Sequence, residues 1–288
     1  MNAKYFILLM CLFLFPGLGN TLDQYNPRVQ EWKKINHPED RNSKQWFLWN
    51  YAASFSSHNW KVYKKNGCIY ACLLNEQLTS QTFSPEIELP KDDIPGVYTF
   101  QKLENGWLGG CDKGEFSGSL WWFPDNGKKK YKISDHRVKQ FIKSGDDIFA
   151  IQGLAHLGTS QGSMLKISRD GRDKPWKVST VIRLPQSPEA FQRLKNSEFI
   201  VLLSNSLAKV DAKVNFKFLL ENAGWDTLYP NSLEISQDEK TVYIGMRQYV
   251  AVFELDTNQL NFYVPDDRFM NKLSKKEEQE IIRDFWQR

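Results

Sequence analysis

Cysteine and histidine are scarce: the 288 residues contain four of each. Cys11 lies inside an N-terminal apolar run. The other three, Cys68, Cys72 and Cys111, are an odd number and cannot all pair within one chain. Cys68 and Cys72 fall four residues apart in one stretch of strand character, about 13 Å if extended, too far for a disulfide. A bridge from either to Cys111, or three buried thiols, are the open alternatives. So few ligands at such spacings exclude a zinc site, and no metal is expected. Common catalytic signatures are missing as well. There is no Gly-x-Ser-x-Gly elbow, Walker loop, HExxH helix or EF-hand loop, so no cofactor is expected. Neither sign of charge dominates. The formal net charge is +4, about +3 without residues 1–19, which excludes the dense basic stripe of a nucleic-acid platform. Lys128, Lys129 and Lys130 follow the turn signal Asn126-Gly127 and read as a solvated loop. No Asn-x-Ser/Thr acceptor occurs, which favours a bacterial periplasm over a eukaryotic secretory route.

Long apolar runs are also missing, with one exception. Residues 5–15 are apolar throughout, preceded by Lys4 and followed by Pro16 and Gly17-Leu18-Gly19. A short run with small residues behind it reads as a signal peptide cleaved after Gly19. Eleven residues are too few to span a bilayer, which takes about 20. The expectation is a periplasmic or secreted protein without a membrane span.

Aromatic residues are plentiful, at 14% with ten Trp, and favour strands. The strongest pattern is an internal repeat. An apolar residue is followed two positions later by a long polar one, and seven or eight positions later by a second apolar anchor. Five instances occur: Val62/Lys64/Ile69, Phe100/Lys102/Trp107, Phe141/Lys143/Ile148, Phe191/Arg193/Phe199 and Ile235/Gln237/Val242. Their first members are spaced by 38, 41, 50 and 44 residues. Turn residues such as Asn66-Gly67 and Asp238-Glu239 fill the gaps. Each unit accommodates four short antiparallel strands, the blade of a β-propeller. Residues 232–260 carry an apolar-Ser-x-Asp turn, then Val242-Tyr243-Ile244-Gly245, then a strand ending in Leu255-Asp256-Thr257. This unit resembles the YVTN- or WD40-like repeats of bacterial secreted propellers, although the Trp-Asp dipeptide of true WD40 blades is absent. The resemblance implies the fold and no particular activity.

The predicted fold is therefore all-β: a propeller of five four-stranded blades, or alternatively six, over residues 46–265. Residues 20–45 form an N-terminal extension with helical character over 27–35. The aromatic patch 46–49 is expected to add a strand to the last blade or to begin the first. Residues 266–288 carry a C-terminal helix, signalled by the capping-box pair Ser274 and Glu277.

Candidate site residues follow from the repeat. Lys64, Lys102, Lys143, Arg193 and Gln237 occupy equivalent positions and would form a basic rim attracting an anionic ligand. His156 follows a blade strand and falls near the mouth of the ring. Trp176 and Trp225 lie in loops and are candidate interface anchors. The inner strands, read as residues 60–64, 98–102, 138–143, 190–195 and 233–236, contain one acidic residue, Glu234. Glycoside hydrolysis needs two facing carboxylates. The expected role is accordingly non-catalytic binding of a protein partner, as an inhibitor, immunity-type protein or envelope-assembly factor. The alternative is an enzyme or carbohydrate-binding protein that uses the central pocket.

Overall fold

A strand covered on one face alternates apolar and polar residues; one covered on both faces need not. Residues 199–203, Phe-Ile-Val-Leu-Leu, do not alternate, and all five are buried. The reason is visible in the computed structural model, which describes residues 27–74, 96–125 and 129–286. The predicted leader lies outside the described residues.

The described chain opens with a single 3-10 turn at Val29–Glu31 and a short strand, β1 (Lys33–Ile35). Helix α1 (Lys44–Ser54) follows, then a hairpin of β2 (Trp60–Lys65) and β3 (Cys68–Leu73). Its two-residue turn is Asn66-Gly67, with φ of 51° and 77°, as a primed turn requires. Three antiparallel meanders of four strands come next. The first is β4 (Val97–Leu103), β5 (Gly106–Asp112), β6 (Gly118–Pro124) and β7 (Tyr131–Ser134). The second is β8 (Val138–Ser144), β9 (Asp147–His156), β10 (Thr159–Ser168) and β11 (Lys177–Leu184). The third is β12 (Pro188–Arg193), β13 (Phe199–Leu203), β14 (Ser206–Val210) and β15 (Phe216–Leu220). The last sheet contains β16 (Ser232–Ile235), β17 (Thr241–Gly245), β18 (Val250–Glu254) and β19 (Gln259–Val264). Strand β1 completes it on the outside, with Lys33 opposite Val264 and Ile35 opposite Phe262. Helix α2 (Lys275–Ile281), whose capping box between Ser274 and Glu277 is formed, and a π-helical turn at Ile282–Trp286 close the described chain.

The sheets stack face to face. Leu108, Leu120 and Trp122 meet Phe141, Ala150 and Leu165 of the next sheet. Ile151 and Met164, on the other face of that sheet, meet Phe191, Val201 and Ala208. Ile200, Leu202 and Leu207 then meet Leu233, Ile244 and Phe253. Tyr243, Val250 and Val252 meet Trp60, Val62 and Ile69. Neighbouring residues such as Ala150 and Ile151 therefore belong to different layers. The first strands of the sheets touch in the order β4, β8, β12, β16, β2. All of them start at one end of the molecule, called the leading face below. This is the arrangement of a β-propeller.

Two expectations at the N-terminus are corrected. The helical reading of 27–35 reduces to the 3-10 turn, because the open edge of β19 recruits Lys33–Ile35 as a strand. The patch 46–49 is helical rather than extended. Ser43 Oγ accepts the Trp46 N–H at 3.1 Å and caps α1. Trp46 and Ala53 face the core, and Trp49 stacks on Tyr249 with ring centroids 4.7 Å apart. Cys68, Cys72 and Cys111 are all free thiols.

Blade-to-blade contact leaves no room for side chains at some glycines. A Cβ on Gly162 of β10 would stand 2.2 Å from Pro188 Cδ and 2.5 Å from the Gln152 carbonyl. Neither neighbour is the end of a flexible side chain. Gly162→Ala is expected to lower stability by about 1–3 kcal/mol, measured by chemical denaturation. An unchanged midpoint would mean that β10 and β12 are not packed this closely.

Candidate functional site

An inner strand pairs through its backbone on one side only. Where such a strand carries a β-bulge, one residue loses its place in the ladder and its side chain is re-aimed. Two inner strands have this irregularity at their leading ends. In β8, Val138 opposes Gln152 and Gln140 opposes Ile151, which leaves Lys139 as the extra residue. In β12, Pro188 opposes Leu203 and Ala190 opposes Leu202, which leaves Glu189 as the extra residue. The two bulge residues meet across the gap between sheets. Lys139 Nζ lies 2.6 Å from Glu189 Oε2 and donates to Ser187 Oγ at 3.0 Å.

The pair is partly desolvated but reachable, with side-chain exposures of 18% and 19%. Burial pushes the Glu189 carboxyl above its ordinary value. Lys139 and Ser187 oppose that rise, and the charge of Asp112, at the end of β5, adds to it. A run of hydroxyls extends the polar wall. Ser160 Oγ accepts from the Ser187 N–H at 2.8 Å and lies 2.9 Å from Ser204 Oγ. A carboxyl whose pKa is raised, hydrogen-bonded to an ammonium at a partly open site, is equipped for proton transfer.

Glu189 is invisible to the reading of inner strands because that reading starts the strand at Ala190. The observed strand begins at Pro188, so the inner strands hold two carboxylates, Glu189 and Glu234, rather than one. Glu234 is also raised by burial, and the charge and backbone N–H of Lys64 offset part of the shift.

The residues singled out from sequence divide between the two ends of the molecule. His156 is at the end of β9 on the leading face, with its Nε2 at 2.9 Å from Glu115 Oε2. Lys64, Lys102, Lys143, Arg193 and Gln237 occupy the opposite, hairpin end. There Lys102 pairs with Asp125 and lies 5.0 Å from the Trp107 ring centroid. Arg193 lies 5.9 Å from the Phe199 ring, and the Gln237 carbonyl accepts from Lys195. Trp176 packs against the core beside Trp122, under the Arg169 guanidinium. Trp225 is corrected: it is fully buried, and its Nε1 donates to the Leu203 carbonyl at 3.4 Å, so a partner cannot reach it. The Asn205 side chain, which accepts from its backbone, folds the loop inward.

No family model and no curated protein matches this sequence. Solved structures do. A streptogramin B lyase is 17% identical, with a TM-score of 0.41, over 62% of this chain and 58% of its own. The match thus spans less than two thirds of that lyase. Virginiamycin B lyase from Staphylococcus aureus is 10% identical, with a TM-score of 0.44, over 82% of this chain and 74% of its own. YCF48 bound to D1 peptide is 10% identical, with a TM-score of 0.41, over 83% and 73%. These proteins are similar to this chain in their β-propeller-like fold. The expectation of a non-catalytic, protein-binding role has no support in these matches and is withdrawn. No helix among the described residues is long and apolar enough to cross a membrane.

The raised Glu189 pKa has a sign that can be checked. The folded state holds this proton more tightly than the unfolded chain, so the contribution of Glu189 to stability falls as pH rises through the window above the ordinary carboxylate value. As pH rises above the ordinary carboxylate range the wild type should lose stability relative to Glu189→Gln. Paired denaturation curves across that rise test this. A difference that stays flat, or moves the other way, would show that the carboxyl is not desolvated.

Proposed function

We propose that this protein is an enzyme of acid–base type whose proton-transfer pair is Glu189 and Lys139 at the leading mouth of a five-bladed propeller. The reading takes the five sheets as five blades about one axis. It also takes residues 1–19 as a leader removed on export to the periplasm or the outside of the cell, with 46–265 as the propeller. The observation that carries it is the convergence of two bulge residues, one from each of two neighbouring inner strands, on a single short ion pair. A buried ion pair adds little net stability over apolar residues of the same size. Its placement at the mouth is therefore better accounted for by chemistry than by packing. Ser160 and Ser204 offer hydroxyls to a polar, hydroxyl-bearing substrate. His156 with Glu115 stands on the same face as a candidate contact, whereas the basic set from Lys64 to Gln237 belongs to the other end and is proposed only as an anion-attracting rim there.

Incubation with a panel of lactones, glycosides and polysaccharides, with products read by mass spectrometry, tests the proposal. Glu189→Gln is expected to cut any turnover found by about a hundredfold or more, and Lys139→Met to cut it and shift its pH profile. Turnover that survives both substitutions would place the chemistry elsewhere.

A further inference from the structure

A cleft of about 440 Å³ lies between α1 and the loop 221–231, and neither Lys139 nor Glu189 lines it. That volume falls in the lower range of small-ligand sites. Its walls combine the rings of Trp46, Phe47 and Tyr51 with the polar side chains of Arg41, Asn50 and Asp226. The Phe47 and Tyr51 centroids are 5.9 Å apart, one helical turn along α1. Arg41 is partly buried. Its Nη1 donates to the carbonyls of Asn222, at 3.0 Å, and Glu221, at 3.4 Å, and the guanidinium lies 5.9 Å from the Trp46 ring. Those contacts anchor one nitrogen and leave Nη2 and Nε without a partner among the described residues. Among the described residues no carboxylate pairs with Arg41, although Asp226 lines the same cleft. Burial alone shifts its pKa, downward, with no acidic neighbour pulling it back.

A partly buried cation without a counter-ion calls for an anion, and a guanidinium with two free donors suits a carboxylate held through two oxygens. Aromatic walls suit the flat apolar face of a ring. Asp226 and Asn50 can accept hydrogen bonds from hydroxyls, and Asn50 is itself fixed by Gly224 and Thr227. We propose that this cleft binds a carboxylated sugar, a uronate, with its carboxylate on Arg41, its ring against Phe47 and Tyr51, and hydroxyls on Asp226 and Asn50. The site is independent of the acid–base pair and stands whether or not that pair is catalytic.

Calorimetric titration of the full chain with galacturonate and glucuronate tests this, with galactose, glucose and glutamate as controls. Binding of a uronate at least about tenfold tighter than its neutral counterpart is expected. Arg41→Gln should remove that preference, Arg41→Lys should retain part of it, and Glu189→Gln should leave it unchanged. Because Arg41 also holds the loop carbonyls, Phe47→Ala provides a second variant that spares them, and it should weaken uronate binding. No uronate binding, equal binding of neutral sugars, tighter binding of glutamate, or a preference that survives Arg41→Gln would each overturn the proposal.

Discussion

The sheets β8–β11, β12–β15 and β16–β19 must each bury both faces, because a sheet stands on either side of each. That constraint turns the middle strands apolar without alternation, as in Phe199–Leu203, and sends adjacent residues such as Ile200 and Val201 into different layers. It also creates a difficulty on the inside. The first strand of each sheet has a free edge of N–H and C=O groups facing the axis, where no further strand can pair with it. Side chains take over that role. The Gln140 amide donates to the Phe191 carbonyl at 3.1 Å and accepts from the Phe191 N–H at 2.9 Å, matching both groups as a partner strand would. Ser232 Oγ accepts from the Val62 N–H at 2.9 Å, and Gln192 donates to the Leu233 carbonyl at 3.4 Å. The sheets are joined by apolar packing in their depth and by polar side chains along their inner edges.

This division explains why Lys139 and Glu189 stand apart. Neutral amides and hydroxyls suffice to satisfy the inner edge elsewhere, as Gln140, Gln192 and Ser232 show. A charge pair is not required for that purpose, and removing two ions from water opposes folding. The bulges matter because they remove both residues from the alternation that would otherwise send them into an apolar layer or along the strand edge. Freed from the ladder, the two side chains reach each other at the mouth instead.

The repeat was readable because it rests on what every unit needs. Anchors such as Phe141 and Val242 face the layers, and Asn66-Gly67 has the positive φ values its turn demands. The inner strands at 60, 98, 138 and 233 were legible to within a residue or two of their observed starts. The site was not. A bulge inserts a residue without altering the apolar spacing beyond it, so Glu189 falls just outside the stretch that periodicity marks. Pro185 and Pro188 were the available signal: they confine the chain between β11 and β12 and set the strand start two residues earlier. The terminal segments were misread for another reason. Residues 33–35 become a strand because β19 offers an edge, a fact of tertiary structure. The run from Trp46 to Trp49 is helical because Ser43 caps it and its aromatic residues recur at a helical spacing against Tyr249 and Phe262.

The surroundings of the mouth bear on how its charges behave. Leu157, at 89% exposed, and Phe116, at 62%, flank the His156–Glu115 pair in sequence, and Tyr229 lies in the loop before β16. Tyr229 adopts a left-handed backbone at φ 51°, and Arg247 holds its ring from 4.6 Å while bonding the Ser54 carbonyl. An exposed aromatic residue fixed in a strained conformation has a cost that packing does not repay here. A ligand that covers the partly desolvated Lys139–Glu189 pair displaces its remaining water, strengthens the attraction between the two charges, and raises the penalty on a charge left unpaired. Such binding and the protonation of Glu189 are coupled through the water it removes.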